Sequence, residues 1–146
     1  MKTKNNIEKE LKVKSRTENL SVIREFIQSA AVQVGMNPGI TEDVMLAVDE
    51  ACTNIIKHAY KSVPDGEIFL KLKYSDHKFT IKIIDYGNSF HPENVPDPDL
   101  QKYYNQHRVG GLGMYLMKTL MDEVKYSSVP GKYNQVYLTK YLNNSN

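Results

Sequence analysis

The sequence predicts an α+β fold, a two-layer sandwich with helices on one face of a mostly antiparallel sheet. The main observation is the order in which hydrophobic period changes along the chain, β-α-α-β-β-loop-α-β-β, which sets strands beside one another as antiparallel pairs instead of repeating βαβ units. A second is size: 146 residues, 40% of them hydrophobic, suit a single domain, and one Cys leaves neither an internal disulfide nor a cysteine cluster to support it. The third is charge. There are 19 Lys+Arg against 17 Asp+Glu, and the first sixteen residues hold six basic side chains and two Glu, so the basic excess is a local tail. The rest offers no basic stripe interleaved with aromatics, which argues against direct DNA binding. No run approaches the roughly 20 apolar residues of a membrane span, and the start lacks the apolar core of a secretory leader, so a cytoplasmic protein with no membrane association is expected.

Each element follows in turn. Residues 8–16 alternate loosely and suit an edge strand guarded by lysines. Thr17 is expected to cap a helix carrying Leu20, Ile23, Ile27 and Ala31 on one face and stopped by Gly35 and Asn37-Pro38-Gly39. Thr41 is expected to cap a second helix, with Glu42 and Asp43 in its first turn, running to about Tyr60. Pro64-Asp65-Gly66 then leads into a hairpin, with Ile68, Leu70, Leu72 and Tyr74 on the buried face of one strand and Phe79 to Ile84 forming the other. Residues 85–111 have no periodicity, and a loop of that length in a small domain points to function or disorder. A third helix follows from Leu112, and two strands around Pro130-Gly131 close the domain, the last from Tyr133 to Leu142. This gives a basic tail over 1–9, a domain over 10–142 with a lid at about 91–110, and a short tail over 143–146.

Three segments carry residues suited to chemistry. In the second helix Glu50, Asn54 and His58 are successive i, i+4 neighbours with Lys57 beside them, opposite an apolar stripe of Val44, Val48, Ala51, Ile55 and Ala59. Such a stripe often just faces water. An amide in mid-helix has poor propensity, however, and an exposed position there more often holds Lys, Glu or Gln. The second segment is Asp85-Tyr86-Gly87-Asn88-Ser89-Phe90, a carboxylate at a strand end with a permissive glycine beside it. It reads either as a turn or as an acceptor for a ligand amino group lying against the backbone. The third, Arg108-Val109-Gly110-Gly111-Leu112-Gly113, leads glycines into a helix. Freed backbone amides and the helix dipole there suit a phosphate, with Arg108 available for a charge-assisted contact, while a flexible hinge is the plainer alternative.

In this order and at these separations the three segments resemble the asparagine box and the two glycine boxes of the GHKL ATPase superfamily, whose fold is the Bergerat α/β sandwich. Within it, the forms LAVDEACTNIIKHAY, DYGNSF, GGLGMYLM and GKYNQVYLTKYL are similar to those of the stand-alone anti-sigma-factor serine/threonine protein kinases, and the resemblance covers about residues 10–142. It implies ATP and Mg2+ as cofactors, with Glu50 as general base, Asn54 as the metal ligand and Asp85 on the adenine amino group. Gly87 would give adenine close access. Gly111 and Gly113, with Gly110 and Leu112 beside them, would hold the triphosphate, and independently of the resemblance the positive charge of Lys57, His58 and Arg108 suits the phosphates. The implied partners are a STAS-domain anti-anti-sigma protein as phosphoryl acceptor, a sigma factor, and a second copy of the chain in a homodimer. Many relatives carry Thr where this chain has Asn134 and Gln135, so the far side of the adenine pocket stays unassigned. Two other readings remain open at this point: a nucleotide-dependent binding module with little catalysis, and a stand-alone histidine-kinase-like ATPase domain.

Overall fold

The computed structural model describes residues 6–61, 63–89 and 112–143, with backbone only for 112–114. The lid assigned to residues 91–110 lies outside the described residues. Five strands, β1 (Ile7–Lys14), β2 (Glu67–Ser75), β3 (Lys78–Asp85), β4 (Glu123–Val129) and β5 (Tyr133–Tyr141), form one sheet of order β1-β2-β3-β5-β4. Every neighbouring pair is antiparallel. Helices α1 (Leu20–Gln33), α2 (Pro38–Asn54) and α3 (Leu112–Leu120) complete the described elements. α1 and α3 both pack against α2. The expected α+β sandwich is the observed architecture.

Alternation along the strands fixes the two faces. Leu11, Leu70, Ile83, Val136 and Tyr126 lie side by side across all five strands and meet the helices. Leu70 and Ile83 in this row are completely buried, a contribution of roughly 1.5–3 kcal/mol for each such side chain. α1 supplies Ile23, Ile27, Ala30 and Ala31, and α2 supplies Val44, Ala47, Val48, Ala51 and Cys52. On the opposite face Lys71 and Lys73 sit 3.9 Å from Glu10 and Glu8, and Lys12 and Lys71 lie over the Phe69 ring. β1 is at the edge, as its lysines suggested.

The next row toward the end of β3 changes character partway across. It reads Val13, Ile68, Asp85, Asn134, Ser128, so an apolar core row becomes polar over its last three strands.

Several boundaries differ from expectation, and the helix starts differ most. Thr17 opens a single 3-10 turn, Thr17–Asn19, with no side-chain cap, and α1 begins only at Leu20. Its expected stop at Gly35 holds, with φ +74 at that residue. α2 starts a turn earlier than expected because Asn37-Pro38 is an N-cap followed by Pro at the first helical position, the arrangement in which a missing N–H costs nothing. Asn37 Oδ1 accepts from Gly39 N at 2.7 Å and Ile40 N at 3.4 Å. Thr41 is therefore inside the helix, its hydroxyl donating to Asn37 O at 3.0 Å, and Glu42 and Asp43 fall beyond the first turn.

Candidate functional site

The site is built where the end of α2 meets the end of β3. α2 is followed by one wide π turn, Ile55–Ala59, closed by Tyr60 N donating to Ile55 O at 2.9 Å. Single π turns in helices are frequent at functional positions. Val44, Val48, Ala51, Ile55 and Ala59 are all buried, as their stripe required. On the other side Glu50 and Asn54 are half-buried, while Lys57 and His58 are exposed. The side-chain amide of Asn54 makes no hydrogen bond among the described residues.

Asp85 closes β3 and is only 3% exposed. Its Oδ1 accepts from Gly87 N at 2.9 Å and from Asn134 Nδ2 at 2.9 Å. Burial pushes the carboxyl above the usual Asp range, and these two donors oppose that rise. Its Oδ2 has no partner among the described residues. A buried acceptor atom left unmatched in this way fits a ligand amino group. Cys52, buried in α2, has its thiol pushed far up by burial and by the nearby Asp49 and Asp85 charges, so it is a neutral packing group. Tyr60 fastens the adjacent backbone, its hydroxyl donating to Glu67 O at 2.6 Å and accepting from Tyr86 N at 2.7 Å.

Gly87 lies flush against the helix end. A Cβ there would stand 2.4 Å from Ala59 O and 2.6 Å from Ala59 C, and Asn88 N donates to that same Ala59 O at 2.8 Å. The side chain is excluded by α2 itself, whatever a ligand requires. Gly87→Ala is expected to destabilise the protein by about 1–3 kcal/mol, read as a lower melting temperature. An unchanged melt would show that the two backbones separate freely.

Glu50 carries the second perturbed carboxyl. Burial raises its pKa first, the neighbouring Asp49 charge raises it further, and Lys57 lowers it. Asp49 is itself tied to α1 by Arg24, whose Nε donates to Oδ1 at 3.1 Å. A carboxylate held above its ordinary range is suited to taking a proton near neutral pH.

The structure brings Gly87 and Asn88 against Ala59, at the end of the helix that carries Glu50 and Asn54, and Gly87 N in turn donates to Asp85. Leu112 and Gly113 open α3. Arg108, Gly110 and Gly111 lie outside the described residues. Two residues of the site were not picked out in the sequence: Asn134, left unassigned, and Ser128. Their alternation phase, shared with Val136 and Val124, is their one sequence signal, and it gains meaning only when β5 is known to pair with β3.

A family model described as the histidine kinase-like ATPase domain matches residues 13–140. The chain belongs to this family. Among curated relatives, the serine-protein kinase RsbW of Bacillus subtilis is 38% identical over 139 residues, covering 92% of this chain and 85% of that protein. RsbW of Listeria monocytogenes is 34% identical over 137 residues, covering 91% and 86%. The fold also matches the solved RsbU and RsbW domains of Rv1364c from Mycobacterium tuberculosis, with TM-score 0.68 at 15% identity over 93% of this chain and 32% of that one. The SiaB–SiaC complex from Pseudomonas aeruginosa gives TM-score 0.65 at 14% identity, covering 88% of each chain. Membership in the histidine kinase-like ATPase family carries ATP use with it, and the RsbW relatives are serine-protein kinases. Among the described residues no helix is long and apolar enough to cross a membrane.

Proposed function

We propose that the chain is an anti-sigma factor that acts as an ATP-dependent serine/threonine protein kinase, phosphorylating a STAS-domain anti-anti-sigma antagonist and regulating transcription by partner switching. The observation that carries this reading is the unmatched Oδ2 of buried Asp85, whose neighbours Gly87 and Asn88 pack on the end of the helix that carries the half-buried pair Glu50 and Asn54. Asp85 accepts from the adenine amino group, and Gly87 lets the segment beside it lie flush against the end of the helix. Lys57 and His58, exposed beyond Asn54, together with Arg108, Gly110, Gly111, Leu112 and Gly113, serve the phosphates.

Asn54 fits a magnesium ion, because Mg2+ keeps most of its waters and needs only one or two protein oxygens. When bound, the ion neutralises charge on the phosphates. Glu50, one helical turn before Asn54, takes the proton of the acceptor serine hydroxyl as the new O–P bond forms and the bond from the γ-phosphorus to the leaving oxygen breaks. A sigma factor as the sequestered partner, a homodimeric state and action in the cytoplasm belong to the same reading.

The direct test is incubation with ATP, Mg2+ and a STAS-domain antagonist, followed by intact-mass analysis of the antagonist. Gain of one phosphate on a serine or threonine is expected, and absence of transfer from an ATP-bound protein would contradict the kinase assignment. The electrostatics of Glu50 add a pH prediction. Its base form must be ionised, so the acid limb of kcat should lie above the ordinary Glu range. Asp49→Asn removes a neighbouring negative charge and should move that limb to lower pH, whereas Lys57→Gln should move it higher. A limb that ignores both substitutions would mean that another group titrates.

A further inference from the structure

The polar end of the core row holds a relay that the catalytic reading does not use. Asn134 Nδ2 faces three oxygens: Asp85 Oδ1 at 2.9 Å, Asn88 O at 3.1 Å and Gly87 O at 3.3 Å. The two backbone carbonyls only accept hydrogen bonds, as does the ionised carboxylate. The amide must therefore turn its NH2 toward them, which leaves Oδ1 pointing the other way. There Ser128 Oγ lies 2.6 Å from Asn134 Oδ1, so the serine hydroxyl is the donor. Ser128, Asn134 and Asp85 sit directly opposite one another on β4, β5 and β3, and their order in the row is set by strand register.

We propose that Asn134, held in orientation by Ser128, is the positioning residue that commits Asp85 Oδ1 to the protein and leaves Oδ2 to read the nucleobase, and so sets the preference of this site for an adenine nucleotide over a hypoxanthine one. This rests on the reading of Asp85 as the adenine contact. Both polar atoms of Asn134 are engaged within the protein, so its effect reaches the base through Asp85. The same amide pins Gly87 and Asn88 to β5, which holds the segment leaving β3 in place. Removal of the Ser128 hydroxyl strands Asn134 Oδ1 without a donor. The amide then turns to find one, Nδ2 withdraws from Asp85, and Oδ1 is left with Gly87 N as its one donor among the described residues, so the carboxylate is held less firmly.

The probe is inosine triphosphate, which has a carbonyl oxygen where ATP has its amino group and the same triphosphate. Calorimetric titration of the full chain with each nucleotide gives the affinity ratio. The wild type is expected to prefer ATP, and Asp85→Asn to lose that preference. Ser128→Ala and Asn134→Ala are expected to reduce the ATP to inosine triphosphate ratio by about tenfold, the scale of one hydrogen bond to a charged group. Ser128→Thr, which keeps a hydroxyl, should restore it. A purely structural weakening would lower both affinities together and leave the ratio intact. If Asp85→Asn loses the preference while Ser128→Ala and Asn134→Ala keep the wild-type ratio, the proposal is wrong. If the wild type binds both nucleotides equally and Asp85→Asn changes nothing, the adenine reading itself fails and takes the proposal with it. Should Asn134→Ala not fold, Ser128→Ala, which removes one oxygen from a half-buried strand residue, decides the matter alone.

Discussion

Asp85→Asn is expected to weaken ATP binding by at least about 100-fold while leaving the protein as stable as the wild type or more so. Asn fills the same volume, and its carbonyl oxygen can still accept from Gly87 N and Asn134 Nδ2. What changes is the atom facing the ligand: an acceptor oxygen becomes an NH2 donor, opposed to the donor amino group of adenine. The stability half of the prediction follows from the raised pKa of Asp85. In the window between the ordinary Asp value and the raised native one, the folded chain holds a proton that the unfolded chain has lost. Stability therefore falls as pH rises through that window, and the full cost of the buried charge is reached above it. Asn carries no such cost. Calorimetric titration with ATP and a thermal melt check the two halves together, and a variant that binds ATP like the wild type would remove Asp85 from the nucleotide site.

The second large effect is expected at Glu50. Glu50→Gln should lower kcat for phosphotransfer by about 100- to 10,000-fold, the usual range for a lost general base, while ATP affinity stays within about threefold. The side chain is half-buried with no hydrogen-bond partner among the described residues, so the amide replaces it without disturbing a network. Single-turnover transfer to the antagonist measures the rate, and nucleotide titration measures the affinity. Equal losses in both would make Glu50 a binding residue, and full activity in the variant would send the search for the base elsewhere.

Much of this arrangement was legible in the sequence because it rests on periodicity. Ile68, Leu70 and Leu72 alternate in β2 and are buried in the structure, and the apolar stripe of α2 does face the core. The polar residues opposite that stripe stood out for the same reason. Features that depend on exchange between distant backbones were not legible. Nothing in Ile55–Ala59 marks a π turn. Gly87 read as an approach point for a ligand, yet the closest atoms to a side chain there belong to Ala59, twenty-eight positions earlier. Asn37-Pro38 read as a break because a proline ends as many patterns as it starts, and only the bonds to Gly39 and Ile40 show it beginning a helix. Asn134 and Ser128 look like ordinary strand polar residues until the order β3-β5-β4 sets them beside Asp85.

A magnesium-dependent ATP site between the end of α2 and the end of β3 is probed by calorimetric titration of wild type and Asn54→Ala with ATP, each with Mg2+ and with chelator. Saturable binding by the wild type that weakens sharply on chelation is expected, with an Asn54→Ala variant that binds weakly and no longer responds to the metal. A wild type that binds no ATP, or an Asn54→Ala variant that keeps the full magnesium response, would contradict such a site.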